Sequence, residues 1–338
     1  MELGQGTLES VGRLGGEMEN NFWQGKHVLV TGATGLVGSH VSKALISKGA
    51  EVIAFTRSRD PRSYFFTEKL DSKAVLAYGD IVNFSRVSSV IDRYEVEVVF
   101  HLAAQPIVGT ASSNPMETFH CNVMGTLNVL EAIRNSPNVK SAVIASSDKA
   151  YGKSNRLPYT EDMPMSGEAP YEASKSCADL LSLSYAKTYG LPIAVTRFGN
   201  IYGPGDLNFS RIVPGAIRAA LRNETLEIRS DGKMMREYLY VEDVVSGYLL
   251  IAEKIKEAKG EAFNFGSGER LSVLDVVEKV SKAVGKKIET NILNIAKNEI
   301  PQQYLSSEKA KKILGWKAEL GMDAGLKATI PWYKRLLG

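Results

Sequence analysis

Short apolar runs alternate with helix-period stretches along most of this chain. Residues 27–30 (HVLV) form an unbroken apolar run of buried-strand length, and the string TGATGLVGSH follows at once. Val37, Val41, Ala44 and Leu45 then recur at helical spacing, Gly49 is placed to end the helix, and residues 51–55 are apolar again. Strand, glycine-rich turn, helix and strand make a βαβ unit, whose crossover is right-handed. The same reading predicts strands over 74–78, 96–100 and 139–145, a helix over 86–94, and a long helix from 115 through Asn122 to 134. Another helix opens at Tyr171, and another strand covers 192–196. Strands alternating with helices predict an α/β fold built on a doubly wound parallel sheet.

The alternation then loosens. Residues 61–73 read as a flexible excursion, and RFGNIYGPGD (197–206) reads as a loop broken by glycine and proline. Such loops, beyond the carboxyl ends of strands, house ligands in open α/β sheets. A helix is expected over 211–222, a short strand over 226–228, a helix entered through 236–245, and a returning strand over 262–265. Residues 272–284 carry a capping serine and an apolar stripe, which suits the core of a small C-terminal lobe. The domain organisation expected is a mobile N-terminal extension over 1–22 and a nucleotide-binding domain over 23–197, with a return at 238–265. A smaller substrate-binding lobe takes 198–237 and 266–338.

Composition narrows the function. With 44% hydrophobic and 23% charged residues over 338, the chain has the make-up of an ordinary globular protein. A net charge of +3 is too small to argue for nucleic acid or a membrane surface. No apolar run approaches the ~20 residues of a membrane span. Cys121 and Cys177 offer neither a disulfide framework nor metal-ligand spacing; they read as packed thiols in a reducing cytosol. His27, His40, His101 and His120 are scattered, so no metal site is expected.

Candidate chemistry lies in two places. Gly32, Gly35 and Gly38 sit between a strand and a helix, where they allow a tight turn, close backbone approach to a pyrophosphate, and close helix packing. At the end of the second strand, where an acid would bind the ribose of NAD, the chain has Thr56-Arg57-Ser58-Arg59. Two guanidiniums and a hydroxyl suit a 2′-phosphate and favour NADP; a solvated loop over NAD is the alternative. Asp80, closing the third strand, can reach an adenine amino group. The second place is 145–175, ASSDKAYGKSNRLPYTEDMPMSGEAPYEASK. An apolar run empties into Ser146, Ser147, Asp148 and Lys149, and Tyr171 and Lys175 follow on one helix face. Spacing alone leaves two readings, a reactive centre or a loop followed by a helix cap.

Over residues 24–335 the chain resembles the extended short-chain dehydrogenase/reductases, in the group of NDP-sugar epimerases and dehydratases. The motifs that carry this are TGATGLVG (31–38), GDI (79–81), HLAAQ (101–105), NVMGTLNVLEA (122–132), Tyr171-x-x-x-Lys175, RFGNIYGPGD (197–206) and REYLYVEDVV (236–245). SSDKAYG (146–152), with HLAAQPIV (101–108) and PYEASKSCAD (170–179), is most similar to CDP-glucose 4,6-dehydratases. The chain departs from the family in its arginine-bearing second-strand end. It departs again in IPQQYLSSEKAKKILGW (300–316), where glutamines replace an arginine that contacts nucleotide phosphates in many relatives.

The resemblance implies a Rossmann fold binding tightly held NAD or NADP through Gly32, Thr34, Gly35, Leu36, Val37, Asp80, Ile81, Leu102, Ala103, Ala104, Tyr171 and Lys175; Arg57, read from the strand end itself, joins them with a lean to NADP. Gln105, Asn200, Arg211 and Arg236 would hold a nucleotide-diphosphate sugar. In the implied dehydratase, Tyr171 is a general base with a pKa lowered by Lys175 and the nicotinamide. Ser147 orients the C4 oxygen, Asp148 protonates the departing C6 hydroxyl, and Lys149 removes the C5 proton. A 4-epimerase would need only Ser147, Tyr171, Lys175 and the cofactor; a dehydratase acting on a GDP- or UDP-sugar is the other alternative. The resemblance also implies a cytoplasmic homodimer pairing helices 115–134 and 171–189 as a four-helix interface.

Overall fold

The computed structural model describes residues 22–295 and 300–338. The extension expected over 1–22 therefore lies, up to residue 21, outside the described residues. Phe22 itself is packed, its ring edge-on to Trp23 with centroids 4.8 Å apart.

The strands in chain order are β1 (His27–Thr31), β2 (Glu51–Thr56), β3 (Val75–Tyr78), β4 (Val98–His101), β5 (Ser141–Ala145), β6 (Ile193–Phe198), β7 (Asn200–Tyr202), β8 (Leu226–Ile228), β9 (Met235–Tyr240), β10 (Ala262–Phe265), β11 (Arg270–Ser272), β12 (Thr290–Ile292) and β13 (Gln302–Gln303). Seven of them form one sheet, ordered β10-β6-β5-β4-β1-β2-β3. Every pairing in it is parallel. The central strands β1, β4 and β6 are buried apart from His27 at the start of β1, as apolar runs covered on both faces must be. One face is packed by the helices Leu36–Ser47 and Val241–Glu253, the other by Phe84–Arg93 and Gly125–Asn135. The chain reverses its winding between β1 and β4, so the crevice at the carboxyl ends there is where this architecture binds ligands.

A smaller layer sits over those carboxyl ends. β9 pairs with β11, β13 and β7, and β8 pairs with β12. The helices Ile212–Arg222, Val273–Val284 and Met322–Leu337 pack around a second apolar cluster. Ser272 starts one of them with a capping box, accepting from the Asp275 amide at 3.1 Å while Asp275 accepts from the Ser272 amide. Ala310, Leu314 and Trp316 turn back to the core of the large sheet.

Three sequence expectations change. Residues 61–73 are no flexible excursion: Tyr64, Phe65 and Phe66 are buried in a short helix, Tyr64–Thr67, and Tyr64 stacks on His40 at 4.1 Å. Polar neighbours masked that aromatic triplet. Within 197–206, residues Asn200–Tyr202 are not loop but strand β7, paired with β9. Cys177, expected to be packed, is exposed on the helix Pro170–Tyr189, whereas Cys121 is half-buried. The helix expected over 115–134 exists, with a π-turn at His120–Met124. Among the described residues no helix is long and apolar enough to cross a membrane.

Candidate active site

A cavity of about 1290 Å³ opens at the carboxyl ends of the large sheet, between it and the smaller layer. Typical small-ligand sites occupy ~300–1,000 Å³, so this one has room for two large ligands side by side. Its floor is the glycine-rich turn. Gly32 has φ +68°, and a Cβ there would lie 2.8 Å from the Ala103 nitrogen. A Cβ on Gly38 would lie 2.1 Å from the Gly32 carbonyl oxygen. Both close approaches exclude any side chain. Gly35 is the N-cap of the helix Leu36–Ser47, and no side chain caps that end. The helix N-terminus therefore faces the cavity with its own amides and partial positive charge, which fits a pyrophosphate. Thr34, Leu36 and Val37 line the same floor, and Thr34 is steadied by a 3.1 Å hydrogen bond with Thr56.

Along the wall next to it, Asp80, Ile81, Leu102, Ala103 and Ala104 all line the cavity. Thr31 Oγ1 receives the Leu102 and Ala103 amides at 3.1 and 3.2 Å, which fixes that stretch of backbone. Arg57 reaches the rim, 3.9 Å from the Asp80 carboxylate and largely in solvent. Arg59 does not join it. Its guanidinium lies over the Phe66 ring at 4.8 Å and pairs with Asp71 at 3.4 Å, so the cavity meets one arginine there rather than two.

The loop after β5 supplies the reactive wall. Ser147, Asp148 and Lys149 line the cavity, and Asp148–Tyr151 forms a tight turn capped by Ser147. Ser147 Oγ donates to Asp148 Oδ1 at 3.0 Å and accepts from the Lys149 amide at 3.2 Å. Asp148 is 4% exposed, and burial pushes its carboxyl above the ordinary carboxylate range; Lys149, Ser147 and Arg236 partly oppose the shift. Behind the turn, Arg197 grips Asp179 with two 2.8 Å bonds and donates to the Tyr151 hydroxyl at 2.6 Å. A buried bidentate pair of this kind makes the turn a rigid part of the wall.

Tyr171 and Lys175 both reach the cavity from the helix Pro170–Tyr189. Burial and the nearby Asp148 push the Tyr171 phenol up to about 12, against smaller opposing effects of Ser147 and Arg211. This differs from the expectation that Lys175 lowers it. The Lys175 ammonium donates instead to the Ala145 carbonyl at 2.9 Å, and burial brings its own pKa down to about 8. The helix is braced by Asn122 in the π-turn, whose amide meets the Gln105 backbone at 2.7 and 3.1 Å and Ser174 Oγ at 2.9 Å.

Asn200, Arg211 and Arg236 line the cavity as well. Arg211 is oriented by buried Asp206 at 3.0 Å, and Arg236 donates to the Met235 carbonyl at 2.9 Å. Gln105 is corrected: it does not line the cavity. Its amide is used elsewhere, donating to Thr118 Oγ1 on the helix Pro115–Phe119 at 2.9 Å and accepting from the Ile107 amide at 2.6 Å. Residues 225–230 and Tyr248 line the cavity without any signal in the sequence. Among the described residues no cluster of three or more His, Cys, Asp or Glu could hold a metal ion.

Fold and site together define an extended Rossmann protein, with a dinucleotide cradle and a Ser-Tyr-Lys set opening on one cavity. The model of the NAD dependent epimerase/dehydratase family matches residues 28–266, and the chain belongs to that family. The chain is 32% identical to the CDP-glucose 4,6-dehydratase of Salmonella typhimurium, covering 94% of this chain and 93% of that protein. It is 30% identical to the UDP-glucuronate 4-epimerase of Thermodesulfobacterium geofontis, covering 91% and 96%. Among solved structures, the dTDP-glucose 4,6-dehydratase of Bacillus anthracis in complex with NAD superposes with a TM-score of 0.81 at 28% identity, covering 92% of this chain and 97% of that one.

Proposed function

We propose that this protein is an NDP-sugar 4,6-dehydratase that acts on a substrate like CDP-glucose and makes a 4-keto-6-deoxy sugar nucleotide. One observation carries the reading: a buried acid with a raised pKa, Asp148, lies beside Lys149 in the same cavity as Tyr171. A 4-epimerase needs one proton-transfer group at the C4 oxygen. Loss of water across C5 and C6 needs an acid and a base more, and this wall has both.

When bound, NAD or NADP supplies a reversible store for one hydride, taken from C4 and returned at C6, and in oxidised form a positive charge that favours a phenolate. Tyr171 takes the C4 hydroxyl proton as the C4–H bond breaks, and Ser147 orients the C4 oxygen. The C4 ketone makes the C5 proton acidic. Lys149 removes that proton. The C6–O bond breaks as Asp148 gives its proton to the departing hydroxyl, which leaves as water. Protonation at C5 completes the balance. The raised pKa of Asp148 suits its part, since a carboxyl that keeps its proton can donate it. Lys175 holds the cofactor ribose, and Arg211 and Arg236 neutralise the diphosphate, with Asn200 binding one of its oxygens.

The test is incubation with CDP-glucose and mass spectrometry of the product. Loss of one water with a 4-keto group is the expected result. Exchange of configuration at C4 without loss of mass would establish the epimerase instead.

We further infer a preference for NADP, from Arg57 at the rim beside the adenosine side of the cradle. Arg57→Asp is expected to weaken NADP binding about tenfold or more while changing NAD binding little, by calorimetric titration of both. Equal loss for both cofactors would remove Arg57 as the 2′-phosphate reader. We also propose a homodimer through the helices at 115–135 and 170–189, which leave Met116, Leu180 and Tyr189 at 78%, 58% and 53% exposure. Light scattering at micromolar concentration should give twice the chain mass, and Leu180→Glu should halve it. A monomeric wild type would overturn the pairing.

A further inference from the structure

We propose that Gln303 is a positioning residue that clamps the Asp148–Lys149 pair and so sets where the Lys149 ammonium stands at the cavity wall. Its side-chain amide bridges both residues of the pair. Gln303 Oε1 accepts from Lys149 Nζ at 2.5 Å, and Gln303 Nε2 donates to the Asp148 carbonyl oxygen at 3.1 Å. An ammonium can only donate and a carbonyl can only accept, so the two contacts together dictate the orientation of the amide. Gln303 is 1% exposed and does not line the cavity. It touches the wall from behind and acts through Lys149.

The strand that carries it is fastened on both sides. β13 pairs in parallel with β9, setting Gln303 opposite Arg236. The Met235 amide donates to the Pro301 carbonyl at 2.9 Å, and the Leu305 amide donates to the buried Glu237 carboxylate at 2.8 Å. Tyr159 and Tyr304 join the next residues to the loop that follows the reactive turn, at 2.9 Å. A glutamine held this way cannot follow a drifting lysine, so the lysine is held to the glutamine. The surrounding charged and titratable groups are Asp148 and Lys149 on the turn, Tyr171 on the helix Pro170–Tyr189, Arg236 and Glu237 on β9, and Tyr159 on the packed loop.

The inference rests on the dehydratase reading for the step it serves, but its geometry can be tested without turnover. Gln303→Met keeps the length and removes both bonds; Gln303→Glu is nearly isosteric and sets a carboxylate against Lys149. With CDP-glucose, Gln303→Met should lower kcat for water loss by about 10²-fold with KM little changed, the expected result of a misplaced reacting group. Reduction of the bound cofactor on substrate addition should persist, while uptake of solvent deuterium at C5 should fall with kcat. In the protein without sugar, NMR of isotope-labelled lysine should show the Lys149 titration moving up by about one pH unit or more in Gln303→Glu. The acid limb of the pH–rate profile should follow, because the base form then appears at higher pH. A residue that served only folding would lower thermal stability and leave both the titration and the limb in place.

If the Lys149 titration and the C5 exchange match wild type in both variants, the clamp is wrong. If wild type releases no 4-keto-6-deoxy product while the titration still moves, the dehydratase reading falls and the clamp stands.

Discussion

Tyr171→Phe is expected to abolish turnover, lowering kcat by about 10²–10⁴-fold, the usual contribution of a positioned acid or base. The substitution removes one oxygen and keeps the ring, so the helix Pro170–Tyr189 and its bracing by Asn122 should survive. Binding of the nucleotide sugar should change little, since Arg211 and Arg236, proposed to hold its diphosphate, still line the cavity. The reading is cofactor reduction after mixing with substrate, followed in a stopped-flow instrument. The phenol is pushed up to about 12 by burial and by Asp148. The wild-type rate of the first step should therefore rise with pH, because raising pH supplies the phenolate, and Tyr171→Phe should lose that dependence with the rate. If cofactor reduction and every product survived in the variant, the catalytic assignment of Tyr171 would have to be abandoned.

Asp148→Asn should divide the reaction in two. The amide cannot give the proton that the departing C6 hydroxyl needs, so water loss should fall by about 10²–10⁴-fold. The C4 oxidation uses Tyr171 and Ser147 and should proceed, leaving reduced cofactor and a 4-keto sugar that still carries its C6 oxygen. Mass spectrometry of quenched mixtures distinguishes that species from the dehydrated product. The sign of the pH effect follows from the raised carboxyl. Wild-type water loss requires protonated Asp148, so it declines as pH rises through the folded pKa, which lies above the ordinary carboxylate range. An asparagine variant that dehydrates at the wild-type rate would leave Asp148 as a structural acid, and the 4-epimerase reading would gain what the dehydratase loses.

Asp148→Asn separates two chemistries only because the surrounding wall stays still. Arg197 and Asp179 hold Tyr151 from behind, and Gln303 holds Lys149 from the side. None of these contacts is local. Gln303 lies 154 residues from Lys149 in the chain, and the sequence marks it only as a glutamine where an arginine stands in many relatives. The expectation tied that change to the nucleotide. Packing turned the side chain to the reactive turn instead.

Local patterns carried the parts that depend on local physics. Apolar runs of strand length, separated by helical periods, determined the alternation that builds β1 to β6, because such a run is covered inside a sheet, on both faces in the centre and in part at the edge strand β3. The spacing of Gly32, Gly35 and Gly38 determined the cradle, since the close approaches at Gly32 and Gly38 leave no room for a Cβ. Helical periodicity determined that Tyr171 and Lys175 share a face. Tertiary structure alone decided what those groups experience. Burial raised Asp148 and Tyr171 and turned Lys175 onto the Ala145 carbonyl. It folded the 64–66 aromatics into the core, spent the Gln105 amide on Thr118 and Ile107, and drew Arg59 away from the rim. A residue type and its spacing set what a side chain can do. Desolvation and partners from distant strands set which of those things it does, and both arise only once the chain has closed on itself.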